Sequence, residues 1–354
     1  MYVERKERSK GVITFRRLDK NLKLVNELKF PMKSMTTNYW RLQYGHMQGT
    51  LSPLTIGVNG VNSFGGSGGS SSIGFRHRFD ATSEDTFWGV RVGTSSQEMK
   101  IDDIALYGLL SDSVILHLNS SLSFTDTSFK AKRLFQNISG STIGINEIGL
   151  YGYRANSLNI TTSMFARDVL EEEFNILDEE FLEAEIEMEA VEGGRNFNFW
   201  WSQAGSSANN TKTFFRRNGD TATNTYNTIA DIRNGFSNRS ERGIFLGSGN
   251  TPVSFTDIDL DERYEHGTDE NELSNLDLFI EDFEVDEEEG HCGFLIRQQI
   301  ENLSGEDLII REMGLFGAAT TNPGFLLDRF ILPTPIVFPN GAMREARWRI
   351  SYTI

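Results

Sequence analysis

The feature that most constrains the fold is an internal repeat. Residues 137 to 152, NISGSTIGINEIGLYG, align with residues 302 to 317, NLSGEDLIIREMGLFG, with eight identities in sixteen positions, where chance gives about one. The identities are Asn137/Asn302, Ser139/Ser304, Gly140/Gly305, Ile145/Ile310, Glu147/Glu312, Gly149/Gly314, Leu150/Leu315 and Gly152/Gly317. Upstream, VGTSSQEMKIDDIAL from Val92 aligns with LGSGNTPVSFTDIDL from Leu246, sharing Gly93/Gly247, Asp103/Asp257, Ile104/Ile258 and Leu106/Leu260. Downstream, Phe165 to Leu170 aligns with Leu327 to Leu332 through Arg167/Arg329 and Leu170/Leu332. Three blocks in one order imply two copies of one domain, with length differences placed in loops.

Inside each copy the periodicity is that of strands. Ile143, Ile145, Ile148 and Leu150 alternate with a slip at Glu147, which predicts a half-buried strand carrying an irregularity such as a bulge. Asn-x-Ser-Gly before it reads as a hairpin turn, with Gly140 or Gly305 supplying a positive φ. At the carboxy end Pro339-Asn340-Gly341 makes a tight turn, after which Ala346, Trp348, Ile350 and Tyr352 alternate with polar residues. With 33 Gly against 7 Pro and 26 Phe, turns come mostly from Gly and Asn, and many short strands are expected. The expectation is an all-β chain of two tandem antiparallel β-sandwich domains with little helix. The first covers residues 1–178 with a basic amino-terminal arm and a Gly/Ser loop, the second residues 179–354 with acidic insertions. Thr36 to Met47 is a candidate short helix, and Val169 to Glu192 a helix or acidic strand pair joining the copies. Ser63 to Ser72 reads as a flexible loop and Asn209 to Thr228 as a long polar insertion.

Fifty acidic and 34 basic side chains leave a net charge of -16, which repels phosphate backbones and argues against nucleic acid as a partner. No run approaches the roughly 18 apolar residues of a membrane span, and the amino terminus has no apolar core of an export signal, so cytoplasmic synthesis is expected. The single cysteine, Cys292, closes no intrachain disulfide and reads as a small buried hydrophobe.

Candidate chemistry is thin. Residues 257 to 289 carry sixteen carboxylates, and the alternating Asp257, Asp259, Asp261 and Glu262 offer oxygen ligands to a hard cation, but EF-hand spacing is missing and an arginine-paired or solvated face is the preferred reading. Glu147 and Glu312 recur at one place in each copy. A sugar hydrolase needs two carboxylates across a cleft, whereas pairing with Arg167 and Arg329 neutralises each inside the sheet, and the salt bridge is the preferred reading. The five histidines are scattered and define no catalytic set. The Gly-rich SFGGSGGSSS lacks a phosphate-loop ending. Trp200 and Trp201 suit a sugar-stacking platform or, preferentially, packing at a core or subunit interface. No catalytic residue, metal site or cofactor is expected.

The order of strand, Asn-x-Ser-Gly turn, Ile-x-Glu-x-Gly-Leu-aromatic, Arg-x-x-Leu, Pro-Asn-Gly hairpin and terminal SYTI resembles a β-rich module of tailed-bacteriophage structural proteins, particularly tail-associated ones. The second copy is the better match. The first lacks the Pro-Asn-Gly hairpin after Arg167, which raises the expectation that a neighbour supplies its last strands. The resemblance implies a non-enzymatic virion component of tail or neck that assembles with itself, as a homo-oligomer, and with other virion proteins. The alternative is a fibre or capsid-surface adhesin binding host surface glycan. Residues 4 to 33 hold ten Lys or Arg against four acids, and Arg5, Lys6, Arg8, Lys10, Arg16 and Arg17 are candidates for contact with an acidic partner.

Overall fold

A computed structural model describes residues 1–6, 9–33, 55–58, 61–64, 81–100, 103, 105–124, 128–155, 160–190, 212–215, 217–224, 241–254, 256–281, 283–289, 291–317 and 324–353. Among them every regular element is a strand. In chain order these are β1 (Tyr2–Lys6), β2 (Ser9–Leu18), β3 (Leu24–Met32), β4 (Thr55–Val58), β5 (Val61–Phe64), β6 (Gly89–Gly93), β7 (Ile115–Phe124), β8 (Ser128–Asn137), β9 (Ile143–Ala155), β10 (Ile160–Ile176) and β11 (Phe181–Ala190). They continue as β12 (Lys212–Phe215), β13 (Thr221–Asn224), β14 (Gly243–Gly247), β15 (Glu265–His266), β16 (Glu272–Ile280), β17 (Glu284–Asp286), β18 (His291–Glu301), β19 (Leu308–Gly317), β20 (Phe325–Phe338) and β21 (Met343–Thr353).

Two sheets contribute to a first core, β3-β2-β11-β8-β7 and β10-β9-β6. Two more contribute to a second, β1-β21-β18-β16-β15 with β17 beside β18, and β14-β19-β20. Period-2 alternation builds both. Along β8, Phe129, Ala131, Arg133, Phe135 and Asn137 are buried while their neighbours are half-exposed, so one face meets the core and the other does not.

The pairing irregularities recur at matching places. Between Val169 and Phe174, β10 has an excursion opposite the step from Glu147 to Ile145 on β9, and β20 has the same excursion between Ile331 and Ile336 opposite Glu312 and Ile310. The slip read at Glu147 is therefore a break in register beside it. A second irregularity skips Phe165 between Met164 and Ala166, and Leu327 between Leu326 and Asp328. A third falls between His117 and Ser120 on β7, and between Asn275 and Leu278 on β16.

Several expectations change. Of the two forms expected for the acidic stretch from Val169, the strands hold and the helix does not, and the stretch belongs to the first core instead of joining two units. Its first part ends β10 and its second is β11, because Leu182, Ala184, Ile186 and Met188 face the core at every second residue and leave the glutamates outside. No neighbour is needed to supply the first core's last strands, since β11 lies between β2 and β8. The boundary expected at 178/179 falls inside the turn joining β10 to β11. In that turn Asp178 Oδ1 accepts from Gly140 N at 2.9 Å, as Asn340 Oδ1 accepts from Gly305 N at 3.1 Å. Glu179 takes φ 63° where Gly341 takes 74°. Asp-Glu thus substitutes for Asn-Gly, with a non-glycine residue held in the left-handed region. The candidate helix at 36–47 and residues 65–72 of the Gly/Ser loop lie outside the described residues; of the polar insertion, the hairpin β12–β13 is described. Cys292 is buried in the first core although its strand, β18, belongs to the second core's sheet, so the two cores touch there.

A left-handed conformation costs a side-chain-bearing residue about 1–2 kcal/mol. Glu179→Gly is expected to raise the unfolding free energy by about 1 kcal/mol, and Gly341→Ala to lower it by a similar amount, read from urea denaturation midpoints.

Candidate functional site

Each core carries one buried clasp built from residues that recur in the sequence. In the first, β9 places Glu147 opposite Gly93 at the end of β6, and the carboxylate is 0% exposed. Oε1 accepts from Gly108 N at 2.6 Å, and Oε2 from Tyr107 N at 3.3 Å and Arg167 Nε at 3.0 Å. Arg167 reaches on to Asp103 Oδ2 at 2.8 Å and to the Gln97 carbonyl at 2.8 Å. The Tyr107 ring lies 4.7 Å from the guanidinium, and its hydroxyl donates to Asp103 Oδ1 at 2.9 Å.

The second clasp repeats this arrangement. Glu312, also 0% exposed, accepts from Glu262 N at 2.9 Å, Gly249 N at 3.2 Å, Asp261 N at 3.3 Å and Arg329 Nε at 2.7 Å. Arg329 pairs with Asp257 at 2.9 Å and donates to Thr251 Oγ1 at 3.2 Å. Burial lowers the Arg329 pKa, but hydrogen bonds to Asp257 and Glu312 outweigh it and the group is raised overall. Gly93 and Gly247 are required at the closest approach, since a Cβ on either would overlap the Oε1 atom of Glu147 or Glu312.

The remaining repeated residues support these clasps. Asn137 Nδ2 donates to the carbonyls of Ser141 and Ile176, and Asn302 Nδ2 to those of Glu306 and Phe338, at 2.7–3.0 Å. Gly140 and Gly305 have φ of 76° and 89°. A Cβ on Gly149 would press on Leu106 and Tyr151, and one on Gly314 on Leu260 and Phe316. Leu150 and Leu315 are core residues. The third member of each clasp, Asp103 or Asp257, was visible as an identity between the copies, but alignment alone does not say which cation it meets. Asp257 is thus bound to arginine, and Asp259 lies 3.8–3.9 Å from Arg263 and Arg217.

Glu147 and Glu312 sit in different cores, each fully enclosed and saturated with donors. Neither faces a cleft, so this pair lacks the geometry of a sugar-cleaving acid and base. Their arrangement fastens loops 94–108 and 248–262 onto the sheets.

Of the candidate interface residues, Arg16 and Arg17 are engaged within the chain. Arg16 meets Glu27 and Glu183 at 2.6 Å each and Glu185 at 3.7 Å, and Arg17 lies 3.5 Å from Glu180. Lys130 and Lys132 approach the same acidic strand from β8. Arg16 thus finds acidic partners within the chain, in Glu27 and in two glutamates of β11. Arg5 and Lys6 lie in β1, and Lys10 in β2 opposite Glu189; Arg8, Trp200 and Trp201 lie outside the described residues.

The first core also holds a cationic group that the repeat does not contain. Arg133, fully buried, donates to the carbonyls of Leu118, Trp88, Thr82 and Asp85 at 2.8–3.0 Å, where the second core has Gln298, whose Oε1 accepts from Ile244 N. Burial, then the charge of Arg91, brings Arg133 down to about 10. His117, 3% exposed, is pushed down to about 4 by burial and by Arg133 and Arg91, against the pull of Asp112 at 3.3 Å.

Two outcomes are expected in urea denaturation. Arg329→Met leaves Glu312 buried without its cation and lowers the unfolding free energy by about 3–5 kcal/mol, part of which the double replacement Arg329→Met/Glu312→Met restores. Between pH 6.5 and about 4 the unfolded His117 binds a proton that the folded one does not. Stability therefore falls with pH across that window, by up to about 3 kcal/mol, and His117→Asn removes this part of the slope. No family model, no curated protein and no solved structure matches this chain.

Proposed function

We propose that this chain is a non-enzymatic structural component of a tailed-phage virion, in the tail or neck, made in the host cytoplasm and acting by self-assembly and contact with neighbouring virion proteins. In this reading the chain is two tandem β-sandwich copies of one module. The virion assignment rests on the motif order, from Asn-x-Ser-Gly to the Pro-Asn-Gly hairpin.

The observation that carries the non-enzymatic part is the use to which the repeated polar residues are put. Asn137, Glu147 and Arg167, with Asn302, Glu312 and Arg329, direct their polar atoms into turns, loops and ion pairs of the chain itself. A duplicated unit whose shared chemistry is entirely structural suits a scaffold, because what is repeated is a shape and its means of being held.

Light scattering on the purified chain over a concentration series, with mass spectrometry of whole particles, tests the proposal. A defined ring or small oligomer and a fixed copy number in virions are expected. A strict monomer that is absent from particles would sink it.

A further inference from the structure

The two cores close the same sheet edge in different ways. β11 and β21 hold equivalent places, each following the long strand of its three-stranded sheet and pairing with β8 or β18. The other edge of β11 is covered by β2, antiparallel. The other edge of β21 is covered by β1, parallel, in register from Tyr2 with Arg347 to Lys6 with Ser351. Only residues 7 and 8 separate the two covering strands, so the chain passes from one core's sheet to the other's within two residues.

The described hold on β1 centres on its first residues. Val3 is 1% exposed in the second core with Ala346 and Trp348, Met1 packs against the same core and its amino group donates to the Glu345 carbonyl at 2.8 Å, and Tyr2 is 53% exposed. The remainder of the strand reads Glu-Arg-Lys. Main-chain bonds along the ladder include Arg347 N to the Met1 carbonyl at 2.8 Å, and parallel ladders are slightly weaker per residue than antiparallel ones. A short link between two sheets also favours exchange.

We propose that β1 is an exchangeable strand, and that the β21 edge of one copy receives β1 from a second copy of this chain. The occupant follows from the seat, which already accepts this strand within the chain, so the ladder and the Val3 packing broken on opening are remade in the partner. Each chain donates one strand and accepts one, giving a closed ring or pair where the rotation closes and a filament where it does not. The inference rests on the self-assembly reading above and names its interface.

Cysteines at a register pair report which chain supplies the strand. Tyr2 and Arg347 are Cα partners with exposed side chains, and native Cys292 is buried. In the Tyr2→Cys/Arg347→Cys variant, oxidation of the assembled protein is expected to give reducible covalent dimers or ladders on a non-reducing gel. Oxidation at high dilution, followed by concentration, is expected to trap the monomer and cut the oligomer fraction at least tenfold. If only the intrachain bond forms and the locked chain assembles as the parent does, exchange is overturned while self-assembly stands. If the parent chain stays monomeric at every concentration, both fall.

Discussion

A guanidinium held between two carboxylates in a closed interior is the interaction on which the rest of this structure depends. Arg167 lies between Glu147 and Asp103, and Arg329 between Glu312 and Asp257. Removing such charges from water costs several kcal/mol per ion, offset only when geometry is good and the remaining lone pairs are filled. Here loop N–H groups fill them: two reach Glu147 and three reach Glu312. Each clasp therefore ties three distant pieces of chain together, the β6 or β14 loop, the β9 or β19 strand, and the β10 or β20 strand. Besides the ion pair, the Leu106 N–H bond to the Tyr151 hydroxyl in the first core and the packing of Leu260 in the second help to hold the loops.

Outside the cores, charge acts differently. The acidic strand β11 runs between β2 and β8, whose Arg16, Lys130 and Lys132 meet Glu183, Glu185 and Glu187. Individually such partly exposed pairs contribute little, about 0–1 kcal/mol. Their effect is on register, because a slip by one residue would turn the glutamates into the core and Leu182, Ala184 and Ile186 out of it. Part of the negative charge of the chain is thus used inside the sheet, opposite Arg16 of β2 and Lys130 and Lys132 of β8.

The two cores share a frame but differ in what fills it. Arg133 stands where the second core has Gln298, and buried His117 occupies the bulge position of Asn275. A guanidinium lies over the aromatic ring in both, 5.6 Å from Tyr151 and 5.5 Å from Phe316, yet Arg91 supplies it from β6 in one and Arg263 from a loop in the other. The backbone tolerates these exchanges because the clasps, the Asn turns and the three irregularities hold its path.

The repeat, the strand class and the pairing of each repeated glutamate with its arginine were legible in the order of residues. These are local periodicities, or demands of a buried charge, which leave few alternatives. That order did not reveal that Asp178-Glu179 would replace Asn-Gly, since nothing in a turn's composition marks a left-handed glutamate, nor that Asp103 and Asp257 complete the clasps. The crossing of β1 to the second core was also hidden. Strand partners more than 300 residues apart are chosen by where a free edge stands in space, and only the tertiary structure places β21 beside Val3.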